Sequence, residues 1–122
     1  MRRLAMLGVC LMGLVLAAPC KAKTAHSTAR PATPPPLTAS DETQRRQAVQ
    51  RLNDRNPVMV GMVERWQGET AEGTVRLDRI YRDHGLDCHV FSDNFRSGAH
   101  GHWRLAHLVW CRVPEGSWRQ RG

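Results

Sequence analysis

Cysteine and histidine offer the most chemistry in this chain. Five of its six histidines crowd into one stretch: His84, His89, His100, His102 and His107. Neutral imidazole is a common metal ligand. His100-x-His102 would clip a divalent ion, with His89 or His107 supplying a third nitrogen. The spacing matches no closed structural zinc site, which needs four ligands and usually draws on cysteine pairs. His107 also reads as a hydrogen-bonded core histidine. A metal site on His89, His100, His102 and His107 is therefore carried as an alternative, and no cofactor is expected.

Motifs of catalysis are absent. The chain has no glycine-rich phosphate loop, no nucleophile elbow and no His-Glu-x-x-His. Asp83, Asp87 and Asp93 lie near histidines, but acids in turns commonly hydrogen-bond their own backbone. The chain is read as a non-enzyme. Tryptophan says more: four Trp stand beside one Tyr and two Phe. Arg with Trp is the composition of interaction hot spots. Trp66, Arg104, Trp110, Arg112 and Trp118 form the candidate binding surface, with Trp103 assigned to the core. The competing reading has Trp covering a small sheet and Arg stems shielding it.

The first 22 residues decide how the cysteines are read. Met1-Arg2-Arg3 is a basic start, and Leu4 to Ala18 is apolar. That is the layout of a secretory signal peptide, assigned to residues 1–22. The apolar run is shorter than the ~20 residues of a spanning helix. Cleavage after Ala22 fits, and so does lipidation at Cys20. Either Cys20 or an uncleaved signal would tether the chain to a membrane. Cys88 and Cys111 remain beyond the signal. In an oxidising compartment they read as one disulfide, with two buried thiols as the alternative.

Charge excludes less than it first suggests. The formal net charge is +7 over 122 residues. Removing Arg2, Arg3 and Lys21 with the signal leaves 15 basic residues against 11 acidic ones, a net +4. So mild a balance argues against a nucleic-acid partner.

The elements that must hold these side chains follow in order. Residues 23–39 are a Pro/Thr-rich linker, extended and unable to build a core. Residues 40–56 predict a helix capped by Ser40, with Asp41 and Glu42 in its first turn and Pro57 beyond its end. Its apolar face is thin: Ala48, Val49 and Leu52. From Pro57 the hydrophobic period becomes two. Strands are expected from Val58 to Trp66, across Val75–Tyr81 with a bulge near Asp78-Arg79, and from Leu86 to Phe91. Asp83-His84-Gly85 is a turn, and Ser92–Gly101 a polar loop. His102–Val113 is the strongest strand, with Trp103, Leu105, His107, Val109 and Cys111 on its expected core face. Pro114-Glu115-Gly116 turns the chain into a last short strand at Trp118. Residues 57–122 therefore form a small, mainly β domain: an antiparallel meander of four to five strands, pinned by Cys88 and Cys111 and preceded by one flanking helix.

A run of motifs in this half resembles a known family. Trp66, Gly73-Thr74-Val75, Ile80-Tyr81-Arg82-Asp83, Cys88, Cys111-Arg112 and Glu115-Gly116-Ser117-Trp118 occur in the order found in the C-terminal domain of bacterial 17 kDa surface antigens. These are small outer-membrane lipoproteins, and the resemblance covers residues 61–119. It implies an envelope-associated, non-enzymatic role, Cys88 joined to Cys111, and Trp66, Tyr81 and Trp118 as framework. The chain is accordingly read as an exported protein of the periplasm or outer membrane. Its role would be structural, or the binding of another envelope component, a protein or an anionic polymer. A periplasmic metal binder and a secreted inhibitor of an acidic target are the alternatives.

Overall fold

The computed structural model describes residues 35–122. The signal, Cys20 and most of the linker lie outside the described residues. The fold is mainly β: an antiparallel five-strand meander preceded by one helix. The helix α1 spans Ala39–Asn53. The strands are β1 (Val63–Gln67), β2 (Ala71–Asp83), β3 (Leu86–Ser97), β4 (Arg104–Arg112) and β5 (Trp118–Arg121). Each strand pairs with the next, giving the sheet order β1-β2-β3-β4-β5. Among the described residues, no helix is long and apolar enough to cross a membrane.

The helix begins earlier than its composition predicts, because Thr38 and not Ser40 caps it. The Thr38 hydroxyl accepts from the Asp41 backbone N–H at 3.1 Å, and the Asp41 carboxylate accepts from the Thr38 N–H at 3.0 Å. This reciprocal box satisfies two of the amides a helix start leaves bare. At the other end α1 stops at Asn53, three residues short of the predicted end. The Asp54 N–H bonds to the Gln50 carbonyl. The residue before a proline avoids helical dihedrals, so Asn56 could not have continued α1.

Turn chemistry places the hairpins. His84 and Gly85 have φ of 49° and 78° and join Asp83 to its partner Leu86. Two successive positive φ angles mark the tight hairpin turn whose twist matches that of the strands. The bulge falls where the pattern predicts it, with a register shift between Leu77 and Arg79. The predicted first strand is shorter than expected, because Val58–Met62 do not form regular strand. The predicted Ser92–Gly101 loop is mostly strand, since β3 runs on to Ser97. Ser92, Asp93 and Asn94 read as turn residues by composition. Alternation nonetheless places Asp93 beside Phe91 and Phe95 on the inner face.

That inner face corrects another expectation. The Cys111 side of β4 is not the core side. Leu105 is 63% exposed and Trp103, just before β4, 53%, whereas Leu108 and Trp110 are buried. The neighbouring strands decide this. Leu108 lies opposite Phe91, which lies opposite Leu77, a continuous apolar row. His107 lies opposite Ser92, which lies opposite Arg76, a polar row. The helix contributes Ala48, Val49 and Leu52 to the apolar side, where they join Trp66, Val75, Leu77, Phe91, Phe95 and Trp110 in one core.

The disulfide Cys88–Cys111 lies on the opposite face. Its cysteines are directly paired across β3 and β4, with Cα atoms 4.1 Å apart. Both are buried. The Asp83–Arg121 ion pair joins β2 to β5, which the sheet order separates by two strands. Twist accumulated across the sheet curls these ends towards each other.

Candidate functional site

Three residues singled out in the sequence meet in one cleft. His89 lies on the inner face of β3, Arg112 ends β4, and Trp118 opens β5 opposite Arg112. With the C-terminal turn of α1 they line a cleft of about 610 Å³, whose walls also include Gln50, Asn53, Asp54, Asp87, Ile80 and Ser117.

The floor of the cleft is a buried polar pair. His89 Nδ1 lies 2.7 Å from Asn53 Oδ1. With the amide oriented so, Nδ1 carries the proton and donates, and the neutral ring keeps Nε2 as an acceptor. The His89 ring lies against Trp118, centroids 4.3 Å apart, and meets Phe91 edge-on at 6.0 Å. Burial depresses the His89 pKa below its ordinary value, with Asp87 pulling the other way. The ring is therefore held neutral. Asn53 is buried as well, and its Nδ2 has no hydrogen-bond partner. A buried donor without an acceptor costs about 1–3 kcal/mol.

The rim is charge-balanced. Asp54 and Asp87 stand with Arg55 and Arg112. Arg55 is engaged by Glu64, which also takes Arg51. The Arg55 hydrogen bond, with help from Arg51, holds the Glu64 carboxyl below its usual range against the effect of burial. Arg112 Nε donates to the Gly116 carbonyl at 3.2 Å.

The rest of the expected binding surface is dispersed. Trp66 and Trp110 are buried at 4% and 5% exposure and belong to the core. Arg104 lies at the far end of β4, its guanidinium 4.6 Å from the Phe95 ring centre and bonded to Ser97 Oγ. Trp103, assigned to the core from sequence, is exposed instead, with the Arg96 guanidinium 5.0 Å from its ring. The wide polar gap after β3 releases it from the sheet.

The histidines are dispersed too. His89 is on the inner face, His107 is opposite Ser92 on the outer face, and His100 and His102 lie in the exposed β3–β4 connection. Among the described residues, no three His, Cys, Asp or Glu side chains form a group able to hold a metal ion.

Sequence reasoning missed two buried carboxylates. Asp41 accepts from the Thr70 hydroxyl at 2.6 Å, the Thr70 N–H at 3.0 Å and the Ala71 N–H at 3.3 Å, in addition to its helix-cap bonds. Burial alone would raise its pKa, but the bonds from Thr70 and Thr38 outweigh that and hold the carboxyl far below its usual range. Asp93 is fully buried. Its Oδ1 accepts from Trp66 Nε1 at 2.9 Å, while Arg45 stands 3.7 Å from Oδ2. Here burial wins and raises the pKa, against the hydrogen bond from Trp66 and the charge of Arg45. Thr38-x-x-Asp41 was a readable cap signature. Nothing local marked Asp93.

The fold and cleft together define a helix-backed, disulfide-pinned antiparallel meander with a polar–aromatic recess where α1 meets β3, β4 and β5. Comparison with protein-family models, with curated proteins and with solved structures finds no match.

Proposed function

We propose that this chain is an exported cell-envelope protein that holds another envelope component through the His89–Asn53–Trp118 cleft. The observation that carries the reading is the Cys88–Cys111 disulfide. Disulfides persist mainly in oxidising compartments, which accords with the export layout of residues 1–22. The motif order shared with bacterial 17 kDa surface antigens agrees with an envelope role without catalysis. The sheet supplies a rigid platform, the clasp stiffens the strands behind the cleft, and the Pro/Thr-rich segment acts as a spacer.

Cell fractionation with intact-mass analysis of the native product tests this. The expected product lacks residues 1–22, or carries an acyl group on Cys20, is two mass units below its fully reduced form, and sediments with the envelope. A full-length cytosolic product with both thiols free to alkylate before denaturation refutes it.

A further inference from the structure

We infer that the outer face of the sheet, opposite the α1 core, docks on an anionic phospholipid bilayer, with Trp103 and Leu105 at the lipid interface and Arg65 and Arg79 on the phosphates. This adds a contact to the envelope function proposed above and rests on it for where the domain sits.

Three observations converge. The first is charge. Residues 35–122 hold 13 arginines, no lysine and 11 acidic residues, a surplus of two. On the outer face Arg76, Arg96, Arg119 and Arg121 each pair with a carboxylate, supplied by Asp78, Glu72, Glu115 and Asp83. Arg65 and Arg79 are exposed and have no such partner among the described residues; Arg79 lies over the Tyr81 ring at 4.7 Å instead. Seven arginines and seven acids remain elsewhere, so the whole surplus sits on this face. The second is exposed apolar surface beside that charge. Arg65, Thr74, Asn94 and Leu105 form one row across β1 to β4, and Trp103 lines a recess of about 420 Å³ with Arg65 and Thr74. Trp103 and Leu105 are both exposed. An indole suits the boundary between acyl chains and water, and arginine stems lie on apolar surface while their heads reach phosphate. A soluble polyanion would satisfy the arginines and leave Trp103 and Leu105 in water, whereas a bilayer takes both. The third is where the chain enters. Arg104, next to Trp103, donates to the Pro35 carbonyl at 3.4 Å. Everything upstream therefore joins the domain at the Trp103 end of the sheet. Fourteen residues separate Cys20 from Pro35. A tether at Cys20 would span at most about 50 Å and hold that end beside the bilayer.

Co-sedimentation of the full chain, disulfide intact, with vesicles of phosphatidylcholine alone and of phosphatidylcholine mixed equally with phosphatidylglycerol tests the inference. Tighter binding to the anionic vesicles is expected, and the preference should vanish near 1 M salt, where screening acts over about 3 Å. Arg65→Gln and Arg79→Gln should each weaken anionic-vesicle binding about fivefold. Arg46→Gln, the same charge change at an exposed position of α1, should leave it unchanged. Any acyl group or N-terminal segment adds equally to wild type and variants, so the loss on substitution reads the face. Tryptophan fluorescence should shift to the blue on anionic vesicles, and Trp103→Phe should remove the shift. All four substitutions are at exposed side chains, so the fold survives them. Equal binding by wild type and Arg65→Gln overturns the inference, as does an equal loss from Arg46→Gln, or a blue shift that persists in Trp103→Phe. Tighter Arg65-dependent binding of a heparin oligosaccharide than of anionic vesicles also overturns it, in favour of a soluble polymer. A chain that is exported with its disulfide formed, yet shows no Arg65-dependent vesicle binding, refutes the lipid contact and leaves the envelope function standing. A full-length cytosolic product with free thiols refutes the envelope function, and Arg65-dependent vesicle binding by that product would leave the lipid contact standing alone.

Discussion

Gly73→Ala probes how the two layers of the domain are locked together. Gly73 lies on β2 opposite Trp66 on β1 and opposite Phe95 on β3. A Cβ built there would meet Trp66 Nε1 at 2.6 Å, Asp93 Oδ1 at 2.8 Å and Phe95 Cβ at 2.8 Å. All three atoms belong to buried side chains, so none can swing into solvent. Overpacking of this kind costs about 1–3 kcal/mol. The added methyl also lies between the indole and the carboxylate that accepts its proton. Displacing Trp66 strands a buried carboxylate, at a further ~1–3 kcal/mol. The combined expectation is a loss of about 3 kcal/mol, against a usual total of about 5–15 kcal/mol for a domain. Urea denaturation followed by circular dichroism checks it. With a slope of about 1–1.5 kcal/mol per molar, the midpoint should fall by about 2–3 M. In a Trp66→Phe background the same substitution should cost less by about 1 kcal/mol or more, because neighbouring sites couple. A cost below about 0.5 kcal/mol in the native background would refute the packing argument, since that is the range of an indifferent surface change.

Other expectations follow from the clasp, the cap and the cleft. Replacing Cys88 and Cys111 together by Ala should lower stability by about 3 kcal/mol, the chain-entropy value for their 23-residue separation, read as a lower urea midpoint matching that of reduced wild type. Asp41→Ala removes the reciprocal half of the capping box and the anchor of the β1–β2 turn together, so its cost should exceed the ~1 kcal/mol of an ordinary cap. Asp41→Asn should flatten the acid limb of the stability curve, because a carboxyl with a lowered folded pKa stabilises above its unfolded value of 3.8 and loses that contribution as pH falls. His89 has a folded pKa below its ordinary 6.5, so the unfolded chain binds the proton more readily. Stability should therefore decline as pH drops below about 6.5, and His89→Gln should remove that decline; an NMR titration of the His89 ring with a midpoint above 6.5 would contradict it.

Much of the topology was legible because the information is local. Period-two alternation, the Asp83-His84-Gly85 turn, the bulge at Asp78-Arg79 and the Pro114-Glu115-Gly116 turn each act over a few residues and say where strands start and stop. The Cys88–Cys111 pairing was legible by elimination. Strand β3 was harder, because Ser92, Asp93 and Asn94 have loop composition. Only their alternation with Phe91 and Phe95 betrays strand, and only their partners on β2 and β4 make it one.

The sequence by itself therefore determined the class of fold, the order of its elements and the one covalent link between strands. Tertiary structure alone decided which face of the sheet α1 covers. Both faces of β4 are apolar enough to be buried, Leu105-His107-Val109 on one and Ala106-Leu108-Trp110 on the other. The choice was made by what β2 and β3 place beside them, Leu77 and Phe91 on the inner side, Arg76 and Ser92 on the outer. The same choice buried Trp66 and Trp110, exposed Trp103, and gathered His89, Asn53, Arg112 and Trp118 from four elements into one recess. Burial of an apolar row is cooperative across strands, and no single strand's sequence contains its neighbours.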